Sequence, residues 1–261
     1  MGAPFDISFV FSYLPKLLTT LGTTLFIVAC SLLAGMVVGF LIALPRLYKV
    51  PVLGTLSEIY ISFFRGTPIL IQLFLFYYGL PEILKLVNVD VTRAPVLLFV
   101  ILTYGLHTGA FMSEMIRASV TAVDKGQVEA AYATGMTTYQ AFTRIVLPQA
   151  LAIAVPVFSN LVIALLKDTS LAFTLGVMEL TGKAQTLGAI SQHFIETYLA
   201  LALIYLVISY TIEKLLLVAE RRLLQHEDRN SPVKKTFGIQ KNLSYRRIIA
   251  EMGSGKGGAG L

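Results

Sequence analysis

Lys167-Asp168-Thr169-Ser170 is a run of four polar residues that closes one apolar stretch and precedes another. It offers a cation, an anion and neutral hydrogen-bond partners. A zwitterion needs all of these when held away from water, because a buried unpaired charge is costly. Asn160 lies seven or eight positions earlier on the same helical face, and Pro156, four residues before Asn160, is placed to kink the helix and free a carbonyl. The competing reading is a self-satisfied Lys167–Asp168 pair at the membrane surface. Glu114 and Arg117, three apart on one face, form either an ion pair or a gate contact. Arg65, beside the helix-disturbing Gly66 and Pro68, pairs with a carboxylate such as Glu58 or lies near the inner surface. Its role is structural or a substrate contact. His107, between Tyr104-Gly105 and Thr108-Gly109, is a hydrogen-bonded packing residue or a ligand or proton site; the glycines thin its helix and make room for a cavity. A charge at mid-membrane costs about 2.5–3.5 kcal/mol even on the lenient insertion scale, so each of these groups needs a reason to be there.

Other chemistries lack their residues. No Ser/His/Asp set and no His-x-x-Glu-like metal spacing is present, so no catalytic residue and no metal site is expected. Cys30 is the sole cysteine and sits in an apolar segment, which leaves no disulfide framework or thiolate cluster. Gly253-Ser254-Gly255-Lys256 has the look of a phosphate loop, but Ala250 stands where the first glycine is required and Gly257 where Ser or Thr is. The chain is therefore expected to carry no ATPase site and to bind no cofactor itself.

The elements that hold these residues are membrane helices. Of 261 residues 56% are hydrophobic and 14% charged, against about 25% charged in a soluble domain. Several apolar runs exceed the ~18 residues that mark a membrane helix, and they do not alternate as barrel strands do. Five spans are expected, near 17–44, 55–80, 95–120, 148–166 and 195–218, with 171–190 a short helix or re-entrant element broken by Gly176, Gly182 and Gly188. Gly35 and Gly39 give the first span a face that another helix can approach closely. The fold class is thus all-α, a polytopic membrane protein of five transmembrane helices plus a short extracytoplasmic or re-entrant helix. The net charge of +6 follows from Lys and Arg facing the cytoplasm rather than from nucleic-acid binding. The polar tail, from Arg221-Arg222 on, decides the orientation: N-terminus outside, C-terminus cytoplasmic. Residues 1–222 make the membrane domain and 223–261 a polar tail expected to lack fixed structure.

The longest polar break between spans, 121–147, then falls on the cytoplasmic side. In it Asp124 or Gln127 begins a helix of about two turns, Ala130, Ala131 and Ala133 favour it, Glu129 suits its positive end, and Gly135 ends it. Thr137-Thr138-Tyr139-Gln140 restarts a helix toward Ile145-Val146-Leu147-Pro148, where the fourth span starts. An ordinary amphipathic loop and a docking surface for a soluble partner both fit.

The spacing from Glu129 to Pro148 matches, without an indel, the EAA-x3-G-x9-I-x-LP loop of ABC importer permeases. Gly126-Gln127, Pro148-Gln149-Ala150-Leu151, Phe64-Arg65-Gly66-Thr67-Pro68, Glu114-Met115-Ile116-Arg117 and Lys167-Asp168-Thr169-Ser170-Leu171 are similar to the polar-amino-acid branch, in the family's order, over residues 10–222. The resemblance implies a type I importer fold in a bacterial cell membrane and a second permease subunit, identical or not. It also implies ATP-binding cassette subunits that hold the ATP and Mg, and an extracytoplasmic protein that delivers an amino acid. It assigns docking to the loop through Gly126, Glu129, Ala130, Ala131, Gly135, Ile145, Leu147 and Pro148. Phe74-Leu75-Phe76-Tyr77-Tyr78-Gly79-Leu80-Pro81 resembles cystine-type permeases. Two rival classes remain open. An ion-coupled secondary transporter would use Glu114 or His107 as its proton site; against it stand the tail, the short chain and the lack of an internal repeat. A membrane-embedded enzyme would need paired catalytic groups on one cavity.

Overall fold

The computed structural model describes residues 4–224. Among them are nine helices and no strand: α1 Ile7–Leu18, α2 Leu21–Leu47, α3 Pro51–Gly66, α4 Ile69–Lys85, α5 Val96–Thr121, α6 Lys125–Ala133, α7 Thr138–Leu175, α8 Leu180–Ser191 and α9 Phe194–Leu224. Helices α2, α5, α7 and α9 are long and apolar enough to cross a bilayer, and α3 with α4 makes a fifth span if the bent pair is counted as one. The expected tail lies outside the described residues from 225 on.

The helices differ from the expected spans in three places. A separate α1, capped by the Asp6 carboxylate on the Ser8 amide at 2.9 Å, precedes the first span, which starts at Leu21 rather than 17 and runs through Pro45. Twelve residues are too few to cross a bilayer, so α1 packs on α8 and α9 through Val10, Tyr13 and Leu17. The expected second span is two helices bent by 111°. The residue before a proline is driven to extended geometry; Thr67 (φ −116°, ψ 145°) and Pro68 (φ −63°, ψ 136°) obey, and the helix stops. The fourth span does not start at Pro148 but at a capping box of Thr137 and Gln140, ten residues earlier. Pro148 lies two residues beyond a π turn at Phe142–Val146, as Pro81 lies two beyond the π turn Leu75–Gly79. Widening the helix there relieves the clash between a proline ring and the carbonyl four residues back.

The expected close-packing face on α2 meets glycines of α5. A Cβ built at Gly39 would lie 2.6 Å from the Met112 Cβ, one at Gly105 2.8 Å from the Ala34 Cβ, and one at Gly109 2.8 Å from Val38. Gly105 and Gly109 thus bring two helices together rather than opening the cavity expected of them. The main core then forms from Ile27, Leu73, Val100, Tyr104, Leu165 and Leu166. The last residues of α7, Thr169–Leu175, form a tight 3₁₀ turn closed by Gly176, and the buried Glu179 carboxylate caps α8 on the amides of Thr181 (2.9 Å) and Gly182 (2.8 Å), which makes α8 a short, separate helix as expected for the 171–190 segment.

Candidate functional site

Between α5 and α7, and closed on one side by Arg65 of α3, lies a cavity of about 690 Å³. Its wall is mostly apolar, built by Phe111, Met115, Ile153, Val157, Leu161 and Leu165. Into it come His107, Glu114, Asn160 and Asp168. Asn160 and Asp168 are separated by eight residues on one helix and share a face, and His107 and Glu114 are seven apart on the facing helix. Five of the residues singled out from the sequence therefore meet at one site.

The polar run at 167–170 does not act as a unit. Asp168 lines the cavity while its backbone carbonyl accepts from the Tyr104 hydroxyl at 2.7 Å, which ties this end of α7 to α5. Lys167 is exposed and outside the cavity lining, and no Lys167–Asp168 ion pair forms among the described residues. Thr169 is fully buried and donates to the Leu166 carbonyl at 2.6 Å. Ser170 is half-buried and also outside the lining. The reason is geometric: four consecutive residues on a helix point in four directions about 100° apart, so only one faces any given cavity.

Glu114 and Arg117 do pair, at 3.0 Å. The same carboxylate also binds Arg46 and has Arg65 at 3.8 Å. The expected Arg65–Glu58 pair is absent; Arg65 instead leans over the Phe111 ring at 5.5 Å, and Glu58 approaches Arg46 at 3.9 Å. The break between α3 and α4 turns Arg65 toward α5, which no pattern within α3 could reveal. Arg46 was missed as a partner because it reads as an ordinary loop cation after Pro45; inside α2 it reaches α5.

His107 is held by a residue the sequence reading does not single out. Its Nδ1 lies 2.9 Å from Oε1 of Gln72, which is fully buried. The Gln72 amide nitrogen donates toward the Phe64 carbonyl (2.9 Å), the Thr67 carbonyl (3.0 Å) and the Thr67 hydroxyl (2.8 Å), oxygens at the α3–α4 break. A lone amide in the apolar run Ile69–Phe74 was the available signal.

At the other end of α7, the 121–147 segment folds as expected. Asp124 caps α6 on the Gly126 amide at 2.6 Å, and Gly135 (φ +83°) ends it in the left-handed conformation that favours glycine, with the Met136 amide on the Ala131 carbonyl at 3.1 Å. Gly126, Glu129, Ala130 and Gly135 are exposed, as are Leu147 and Pro148; Ile145 is half-buried and Ala131 faces inward. Val123, Val146 and Ala150 pin the segment to the helix ends, and Gln149 donates to Gln127 at 2.6 Å. Among the described residues no group of three or more His, Cys, Asp or Glu could hold a metal.

The family model described as binding-protein-dependent transport system inner membrane component matches residues 35–225. The chain is 45% identical over 229 residues to the L-cystine transport system permease protein TcyL of Bacillus subtilis, covering 88% of this chain and 96% of that protein. It is 44% identical over 220 residues to the probable amino-acid ABC transporter permease protein PatM of Vibrio harveyi, covering 84% and 96%. Among solved structures, it superposes with a TM-score of 0.75 at 30% identity on a chain from the crystal structure of an amino acid ABC transporter with histidines, covering 84% of this chain and all of that one. A chain of the MetNI methionine ABC transporter shares the fold, with a TM-score of 0.59 at 21% identity.

Proposed function

The chain belongs to the family of binding-protein-dependent transport system inner membrane components, and on that premise we propose that it is the permease subunit of an ATP-driven importer of polar amino acids, with cystine as its cargo. It supplies a gated path and performs no chemistry. The observation that carries the reading is the cavity between α5 and α7, where Asp168, Asn160 and His107 interrupt an apolar wall. Carboxylate and imidazole suit an ammonium group, the amide suits either end of a zwitterion, and Arg65 stands at the same cavity for a carboxylate. The cystine assignment rests on the TcyL relative and on the 74–81 segment.

The partners follow from the family: two ATPase subunits, a second permease subunit facing this one, and an extracytoplasmic amino-acid-binding protein. The 121–147 segment is the coupling element. Its exposed Glu129, Ala130 and Gly135 offer a small, close-fitting surface to an ATPase, while its inward valines transmit movement to α5 and α7. The N-terminus lies outside and the C-terminus in the cytoplasm, because the dense basic series runs from Arg221-Arg222, at the end of α9, onward. Residues 1–222 form the transport domain and 223–261 a cytoplasmic tail.

Reconstitution in proteoliposomes tests this. With the ATPase, a second permease copy and the binding protein, uptake of labelled L-cystine should require internal or external ATP according to ATPase orientation and stop when the ATPase is omitted. Gradient-driven uptake by this chain alone would sink the reading in favour of a secondary transporter.

A further inference from the structure

The break between α3 and α4 leaves the carbonyls of Phe64 and Thr67 without helical partners. Gln72 supplies what they lack, and in doing so fixes which way its own amide points. Turning that amide over would set its oxygen against two carbonyls and against the Thr67 hydroxyl, whose hydrogen is already committed to the Phe63 carbonyl at 2.7 Å. The nitrogen must therefore face the break and the oxygen must face His107. An amide oxygen only accepts, so the His107 Nδ1, 2.9 Å away, carries the hydrogen. In the neutral ring Nε2 is then the bare nitrogen. It has no hydrogen-bond partner among the described residues, and His107 lines the cavity.

We propose that Gln72 is a positioning residue: it locks His107 as the Nδ1–H tautomer, so that Nε2 offers the cavity a hydrogen-bond acceptor for an N–H group of the transported amino acid. This rests on the cavity being the substrate path. It assigns the α3–α4 break a purpose beyond shape, because the same amide that heals the break orients the imidazole. Free histidine favours the opposite tautomer, with hydrogen on Nε2, which would present a donor and repel an ammonium. Gln72 thereby selects between two cavities of equal shape and opposite hydrogen-bond sense.

The test is ¹⁵N solid-state NMR on the full importer in lipid, with only this chain histidine-labelled. The chain has three histidines, and His107→Asn assigns the ring. The wild-type ring should show a protonated Nδ1 and a bare Nε2; Gln72→Leu should move the hydrogen to Nε2. In uptake assays with labelled L-cystine, Gln72→Leu should raise KM about tenfold, the loss of one charge-assisted hydrogen bond, and change the rate at saturation by less than twofold. Should that variant fail to fold, the comparison is His107→Gln, whose amide oxygen can stand near the Nε2 position, against His107→Leu: the first should keep KM within threefold of wild type and the second should not. An Nε2–H ring in a wild-type importer that does transport overturns the proposal alone. An importer that takes up no amino acid overturns the reading of the cavity and the ligand half of the proposal with it.

Discussion

At Glu114 guanidinium groups from three helices meet one carboxylate: Arg46 of α2, Arg65 of α3 and Arg117 of α5 itself. Only the last was legible in the sequence, because only a pair three apart on one helix shares a face without help from the fold. The other two depend on how α2 and α3 meet α5. The cluster is half-sheltered: the Glu114 side chain keeps 19% of its exposure and Arg46 15%. Removing the shared carboxylate leaves the sheltered Arg46 with only its longer Glu58 contact, at 3.9 Å, and strips Arg65 and Arg117 of their nearest anion, which costs more than the cluster contributes. Glu114→Gln should therefore lower unfolding free energy by about 3 kcal/mol, at the low end for a buried pair because some water reaches it. Denaturant unfolding in detergent, followed by tryptophan-free near-UV tyrosine signal, measures this. A loss below about 1 kcal/mol would mean that the arginines find solvent instead, as surface pairs do.

The elements show why proline was read unevenly. Pro68 ends a helix, whereas Pro148 and Pro81 sit inside continuous helices behind π turns, and Pro45 and Pro156 are carried within α2 and α7. Apolar length reveals that a span exists, and it placed α5 to within a residue of 95–120. It does not reveal a 111° bend, because hydropathy is the same on either side of it. What distinguishes Pro68 is the buried amide of Gln72 that satisfies the broken end, and such a contact is visible only in three dimensions. The glycine face of α2 was legible for the opposite reason, since small residues four apart leave one reading in a membrane. Gly39→Leu tests it: its first side-chain carbon alone would fall 2.6 Å from the Met112 Cβ, on backbone-bearing atoms that cannot turn away. Overpacking of that kind costs about 1–3 kcal/mol. The variant should show a lowered thermal midpoint in detergent, and an unchanged midpoint would mean that α2 and α5 separate freely.

At the scale of the whole molecule the two proposed working surfaces stand at opposite ends of one helix. Gly135 precedes the start of α7, and Asp168 lies some thirty residues along it, roughly 45 Å away at about 1.5 Å per residue. Sites so far apart, with no shared partner, usually act independently when mutated. Gly135→Val forces a β-branched residue into φ +83°, which costs about 1–2 kcal/mol and frays the end of α6 that would dock the ATPase. It should depress uptake of every amino acid alike while membrane insertion and the ranking of cargoes stay as they are. Asp168→Asn removes the one of the cavity's two carboxylates that α7 supplies, and leaves α6 untouched. It should reorder the cargoes in competition assays while basal ATP hydrolysis by the assembled importer stays within about twofold, a difference under 0.5 kcal/mol. The double variant should show both defects, each at its single-variant size. If Asp168→Asn alone halts ATP hydrolysis, or Gly135→Val alone reorders the cargoes, then α7 does not keep docking and recognition apart, and the division of labour drawn from its length is wrong.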